Sequence, residues 1–157
     1  MTINVPNPEV LKAAFAEMEA NLAYWYQGVW YSEPGQLGFD LPQENTCGTT
    51  ACLAGFIVLA SGSTWEQMIG LWVPDEALER LGFTKVLVPH DCSDESCMVL
   101  EWTDDAAEFR EIFYKTSTWD MPNVDQVEGP ARDSLGFTRD RFEYFKAYVS
   151  EQTGIEL

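Results

Sequence analysis

The sequence predicts a mainly α-helical protein, a single compact domain over residues 1–157 with about six helices and room for a minor short β element. Two observations indicate this fold. Apolar side chains recur at spacings of three and four over several segments, and most of those segments begin and end at residues typical of helix caps. At 157 residues, 46% hydrophobic and 13% aromatic, the chain can also bury one full core.

The first predicted helix begins at Asn7-Pro8-Glu9, where an asparagine cap precedes a proline and an acid in the first turn. The spacing of its apolar residues predicts one buried face and a helix that continues to Gly28. That face comprises Leu11, Phe15, Met18, Leu22 and Trp25. Residues 32–46 contain two prolines and two glycines, so we expect a loop there.

The middle of the chain contains its most apolar segment. Ala51 to Ala60 is apolar nearly all round, which is typical of a central buried helix, and Ser61-Gly62-Ser63 would end it. Cys47-Gly48 leads into this segment. We therefore expect the Cys47 thiol at or just before the first turn of the helix.

Further elements are predicted downstream of this helix. A short helix starts from Thr64, another runs from Pro74-Asp75-Glu76 to Gly82, and Lys85 to Val88 forms a strand or a helical turn. Thr103-Asp104-Asp105 would cap the next helix. Its buried face would comprise Ala106, Phe109, Ile112 and Phe113.

The last helix is predicted to begin at a Thr138 cap and to end at Gly154. Phe142, Phe145 and Val149 would share its buried face.

One sequence similarity is internal, between residues 77–85 and residues 131–139. Each segment is interpreted as a short helix, a glycine stop and a threonine cap. Helix-turn-helix units that bind DNA have this pattern, but the chemistry of the turn explains it by itself.

Charge restricts the classes of partner. The chain carries 26 acidic and 9 basic residues, for a net charge of −17, and the acidic residues are spread along it. This charge repels nucleic-acid phosphates, so direct DNA or RNA binding is disfavoured. It suits a protein that docks onto a basic surface, including the DNA-binding face of a host enzyme. Solubility or adaptation to salt would explain the same composition.

The sequence also predicts a location. The longest strongly apolar run, Ala51 to Ala60, is shorter than the roughly 18 to 20 residues that cross a bilayer. The first residues have neither the basic start nor the apolar core of a signal peptide. We expect a cytoplasmic protein with no membrane partner, and the oligomeric state is left open.

The four cysteines form two pairs, Cys47 with Cys52 and Cys92 with Cys97, each with four intervening residues. Together they could bind zinc, pair as disulfides or remain free. Their spacing is longer than the usual two-residue zinc knuckle, and Cys52 belongs to an apolar helix, so buried thiols are favoured over a metal site. We assign no metal and no cofactor.

A cysteine nucleophile would need a base, and His90 is the chain's single histidine. Gln43, Cys47-Gly48, Ala51-Cys52-Leu53-Ala54 and Gly62 resemble the start of the bacteriocin-processing cysteine peptidases. That resemblance implies a papain-like enzyme in which Cys47 is the nucleophile and Gln43 stabilises the oxyanion. It further implies His90 as base, oriented by Asp104 or Asp105. The chain departs from that family in one extra residue at the Cys-Gly helix start and in the early position of His90.

A second resemblance is to uncharacterised small proteins of actinobacteria and their bacteriophages, which share a Cys-Gly-Thr-x-x-Cys-x-Ala-Gly motif. It is carried by Phe39-Asp40, Cys47-Gly48-Thr49, Cys52, Ala54-Gly55 and Leu81-Gly82-Phe83-Thr84. No activity follows from it. It implies a setting, an accessory protein of a phage or mobile element inside a bacterial host.

Taken together, the sequence predicts a non-enzymatic accessory protein that binds and modulates a host macromolecule through an acidic surface. Trp30, Trp72, Trp102 and Trp119 are candidate anchors for that partner. No catalytic, cofactor-binding or metal-binding residue is assigned. The alternatives are a DNA-mimic inhibitor of a host enzyme that binds nucleic acid, and the cysteine peptidase.

Overall fold

The computed structural model describes residues 2–25, 31–32, 50–89, 97–113 and 135–157. Within these ranges the protein is mainly α-helical with a minor β component, which confirms the predicted fold class. The helices are α1 Pro8–Ala20, α2 Leu53–Ala60, α3 Val73–Arg80, α4 Asp104–Phe113 and α5 Leu135–Thr153. The strands are β1 Tyr31–Ser32, β2 Thr50–Ala51, β3 Lys85–Pro89 and β4 Met98–Trp102. Short 3₁₀ helices span Leu22–Tyr24 and Gln67–Gly70.

The strands form two small antiparallel sheets. β1 pairs with β2, and β3 pairs with β4 in a register that sets Leu87 opposite Leu100. The segment from Lys85, which the sequence left open between a strand and a helical turn, is therefore a strand. None of the described helices is both long and apolar enough to cross a lipid bilayer.

Helix α2 lies at the centre of the core, as its sequence predicts. Every residue from Leu53 to Val58 is buried, because the helix has no polar face to present to water. α1 and α3 pack against it. The aromatic side chains of α5 complete the core on the α1 side, where Phe145 lies 6.0 Å from Phe15 and 5.7 Å from Trp25, measured between ring centroids.

The end of α1 differs from the prediction. The helix ends at Ala20 and does not continue towards Gly28, which lies outside the described residues. The Asn21 side-chain amide donates a 2.9 Å hydrogen bond to the Glu17 carbonyl, an interaction that competes with helix continuation. The chain then forms a 3₁₀ turn, and Trp25 makes an isolated parallel bridge to Ala51.

The start of α2 also differs from the prediction. Cys52 is the residue that caps it, and the helix begins at Leu53, because the backbone of Ala51 is already committed to β2. The expectation that Cys47 lies at or just before the first turn is therefore wrong, because the helix begins six positions later and β2 intervenes. Cys47 itself, and the predicted loop beyond Ser32, lie outside the described residues.

The elements predicted between residues 64 and 113 form, except that the short helix predicted from Thr64 is a 3₁₀ helix that begins at Gln67. Thr64 and Gln67 form a reciprocal capping box with hydrogen bonds of 2.9 and 3.3 Å. α3 ends just before Gly82, which has a φ of +90°. The predicted buried face of α4 is buried in full, at Ala106, Phe109, Ile112 and Phe113.

The last helix begins earlier than predicted. α5 starts at Leu135, so Thr138 lies inside the helix and does not cap it. Phe142, Phe145 and Val149 are fully buried as expected, and Gly154 ends the helix at a φ of +68°. Where both segments of the internal similarity are described, their structures differ, since Thr84 precedes a strand whereas Gly136 and Thr138 are helical. Packing of the aromatic face holds α5 together across its glycine.

We expect Gly82→Ala to destabilise the protein by about 1 to 3 kcal/mol. A side chain at this φ is strained, and its Cβ would also lie 3.0 Å from the Pro6 Cβ. The midpoint of urea unfolding measures the effect.

Substitutions at two other glycines distinguish the backbone strain from the steric contact. Gly62 has a φ of +113° but no heavy atom within 4 Å of the position that a Cβ would occupy, whereas Gly70 has neither the positive φ nor a neighbour within 4 Å. We expect Gly82→Ala to lower the free energy of unfolding most, Gly62→Ala less and Gly70→Ala least. Equal unfolding midpoints for the three variants would contradict this interpretation.

Candidate functional site

Most of the predicted peptidase residues fall outside the part of the chain that the structure describes. Gln43, Cys47 and His90 all do, and so do Trp30 and Trp119. The peptidase arrangement therefore stays a prediction. Its two candidate orienting acids are described, and they occupy the first turn of α4, where Asp104 is exposed and Asp105 is half-buried.

The thiol at the start of α2 is the completely buried Cys52. Burial raises its pKa to about 12, and this effect outweighs the backbone N–H groups of Gly55 and Ala54, which favour the thiolate. A helix N-terminus activates a cysteine only where the thiolate is also hydrated or paired. Cys52 therefore behaves as a small core hydrophobe, as the sequence predicts for this position.

The all-cysteine zinc site is not tested by these residues. Cys47 and Cys92 lie outside the described ranges, and Cys97 is half-buried just before β4. Among the described side chains, no group of three or more histidine, cysteine or acidic residues is placed to hold a metal ion.

The surface of the described regions is dominated by carboxylates, because several basic side chains are engaged within the fold. Arg80 donates hydrogen bonds to Ser61 Oγ at 2.9 Å and to Ser63 Oγ at 3.2 Å, and it pairs with Glu76 at 3.6 Å. It thereby fixes the turn after α2 against α3.

A second engaged cluster is centred on the half-buried Asp75 of α3. Its carboxylate pairs with Lys85 Nζ at 3.9 Å and with Arg110 Nη1 at 3.8 Å, so it links α3 to β3 and to α4. The Lys85 ammonium also lies 4.8 Å from the centroid of the Trp102 ring.

The carboxylates outside these clusters are mostly exposed. On α4, the side chains of Asp104, Glu108 and Glu111 are spaced by four and three residues, so they form one acidic ridge on the solvent side of the helix. Further exposed carboxylates in the described ranges are Glu9, Glu17, Glu19, Glu66, Glu79, Glu101, Glu143, Glu151 and Glu156.

The β3–β4 hairpin carries an exposed apolar surface directly before this ridge. Leu87 and Leu100, which face each other across the strands, are each 63% exposed, and Met98 is 47% exposed. Pro89, the partner of Met98, is also exposed. Cross-strand partners share a face, so these four residues form one apolar patch, which we call the hairpin face.

The two described tryptophan candidates differ in exposure. Trp72, just before α3, is 60% exposed and is available as an anchor. Trp102 is half-buried beneath Lys85 at the base of the hairpin.

A cavity of about 580 Å³ opens near the C-terminal ends of α1 and α2. Aromatic and aliphatic side chains form part of its wall, and Glu17, Asn21 and Thr64 contribute polar groups. Its volume lies within the usual range for pockets that bind small molecules.

No protein-family model matches the chain, and comparisons with curated proteins and with solved structures likewise find no significant match. We therefore infer function from the chemistry of the described surface.

Sequence patterns did not identify the hairpin face or the cavity. The apolar residues of β3 and β4 are visible in the sequence, but apolar strand residues are ordinarily buried, so their exposure could not be inferred. The cavity combines residues from α1, the following turn, α2 and the capping box, which only the tertiary structure brings together.

We expect the free energy of unfolding to fall above about pH 9 partly because of Cys52. The unfolded thiol loses its proton near its ordinary pKa of 9.0, whereas the folded one keeps it until about 12. The folded state then binds more protons, so stability is present below pH 9 and is lost as the pH rises through this window.

Cys52→Ala should flatten this loss while lowering stability at neutral pH through the missing sulfur. Urea unfolding of both proteins at several pH values from 7 to 10.5 measures how steeply the free energy of unfolding of each falls with pH. The comparison between the two proteins is needed because burial also raises the pKa of Tyr148. Parallel slopes would contradict the assignment to Cys52.

Proposed function

We propose that this protein is a non-enzymatic acidic accessory protein that binds and modulates a host macromolecule with a basic surface. The observation that carries the proposal is the exposed hairpin face, which α4 and its acidic ridge follow directly in the chain. The proposed setting is the cytoplasm of a bacterial host, with the gene carried by a phage or mobile element.

The hairpin face supplies the apolar part of the proposed contact. An exposed leucine alone is ordinary, but four adjacent apolar side chains on one face of a two-stranded sheet are a feature of interaction surfaces. Both strands also have outer edges that pair with no other strand among the described residues. A partner that covers this face would remove Leu87, Leu100 and Met98 from water.

Charge supplies the preference for a basic partner. The protein has a net charge of −17, and its described lysines and arginines are largely engaged by Glu76, Asp75 and aromatic rings. Such a surface attracts a positively charged protein over a distance of about one Debye length and repels nucleic acid. Steering of this kind accelerates association, whereas the apolar contact slows dissociation.

The acidic ridge favours a second candidate, a DNA mimic. Asp104, Glu108 and Glu111 lie within eight consecutive helical positions, a span of roughly 10 Å at about 1.5 Å per residue. Their linear charge density is within a factor of about two of that of one DNA strand. A mimic would compete with DNA for its target, whereas an ordinary adaptor would not.

The proposal is tested by capture from a bacterial lysate, followed by purification and titration of the captured protein. We expect the double substitution Leu87→Ser with Leu100→Ser to weaken the affinity by about tenfold or more, because it removes two apolar anchors. Both side chains are exposed, so the fold should tolerate the change.

Ile69→Ser is the matched control, because Ile69 is also 63% exposed but lies in the 3₁₀ helix Gln67–Gly70. Unchanged affinity of the double variant, or an equal loss in the control, would contradict docking by the hairpin face. If duplex DNA competes with the protein for its captured target, the DNA mimic is favoured over the adaptor. The double substitution Glu108→Gln with Glu111→Gln should then weaken binding of the protein to that target.

A further inference from the structure

The cavity near the ends of α1 and α2 has walls suited to a cation. Three aromatic side chains line it, Tyr24, Phe56 and Trp65. The Trp65 ring lies 6.3 Å from Tyr24 at 43° and 6.1 Å from Phe56 at 82°, measured between centroids and ring planes. The three rings thus pack against one another at the wall, and aromatic ring faces that border a cavity attract ammonium groups because they carry negative charge.

A carboxylate stands at the rim of the same cavity. Glu17 lines it from the last turn of α1, and its position is fixed by Asn21, whose amide donates to the Glu17 carbonyl at 2.9 Å and to Glu17 Oε2 at 3.5 Å. The same amide therefore orients both the backbone and the side chain. A cation over the rings would have a counter-charge close by.

The helix ends add negative potential from a second source. The cavity is lined by residues of the C-terminal half of both α1 and α2, and neither helix has a basic side chain in its last turn. A helix C-terminus carries partial negative charge and stabilises cations nearby. At α1 this potential is not offset by a basic side chain in the last turn of the helix, whereas at α2 the Arg80 guanidinium already donates to the Ser61 hydroxyl at 2.9 Å.

The described part of the lining includes no basic side chain. Arg80 lies behind the wall, bonded to the lining residue Ser63, and its charge is offset by Glu76 at 3.6 Å. Leu59 and Phe56 provide an apolar floor for an uncharged stem.

We propose that this cavity binds an organic cation, an ammonium or guanidinium head on a short apolar stem. The ligand would lay its head against Trp65 and Tyr24 beside the Glu17 carboxylate and its stem against Leu59. Such a head belongs to free amines of the choline type or to the arginine and lysine side chains of a peptide. This site is independent of the hairpin face, so either proposal can fail without the other.

The test is an NMR titration of the folded protein with choline, with N-acetyl-arginine methylamide and with dimethylbutanol, the uncharged carbon isostere of choline. We expect a cation to bind with a dissociation constant of about 1 mM or below. The resonances of the Trp65 indole and of the Asn21 side-chain amide should shift. Tighter binding of choline indicates a free amine as ligand, and tighter binding of the arginine derivative indicates a peptide side chain.

Glu17→Gln should weaken cation binding by about threefold to tenfold, because it removes the counter-charge but keeps an acceptor for Asn21. Glu19→Gln is the matched control. It makes the same charge change at another exposed position of α1, but Glu19 does not line the cavity. Its effect should stay below about twofold. Trp65→Leu should remove most of the binding, with unfolding curves to verify the fold.

Three results would overturn the proposal: dimethylbutanol binding as tightly as choline, equal losses in the Glu17 and Glu19 variants, or no shift with either cation. Because Glu17 is exposed, its variant should stay folded, so it tests the proposal even where Trp65→Leu is unstable.

Discussion

The burial of α2 is the constraint on which the rest of the structure depends. A helix without a polar face is stable in water only when other elements surround it, and every residue from Leu53 to Val58 is buried. α1 and α3 pack against it. The burial of α2 also explains the protonation state of the Cys52 thiol. Cys52 caps the helix, where the backbone favours a thiolate, yet burial makes the neutral thiol the stable form.

A strongly acidic chain must also hold its elements together with few cations. Asp75 shares Lys85 and Arg110 between α3, β3 and α4, and Arg80 fixes the turn after α2. Ion pairs this exposed contribute little stability individually. Their larger effect is on the surface, because the cations they engage no longer offset the exposed carboxylates. The acidic ridge and the rim of the cavity therefore remain negative.

Local chemistry predicted many of the element ends correctly, and it failed where tertiary contacts took over. The glycine stops at Gly82 and Gly154 form as predicted, and Thr64 caps the turn that follows it, because each feature depends on neighbours within a few positions. The apolar periodicity of α1 continued to Trp25, but the helix ended at Ala20. A side-chain bond from Asn21 and a bridge from Trp25 to Ala51 compete successfully with continued helix.

The sequence by itself determined the helical class, the buried faces of α4 and α5 and the acidity, and it favoured a buried thiol at Cys52, because these follow from periodicity, composition and apolar context along the chain. Only the tertiary structure decided that Leu87 and Leu100 face water and that Trp65 and Glu17 share a cavity. Whether a residue is exposed, and which distant residues it meets, depends on how segments far apart in the chain pack together. No spacing along the chain encodes that, since it follows from how the surrounding elements pack around α2.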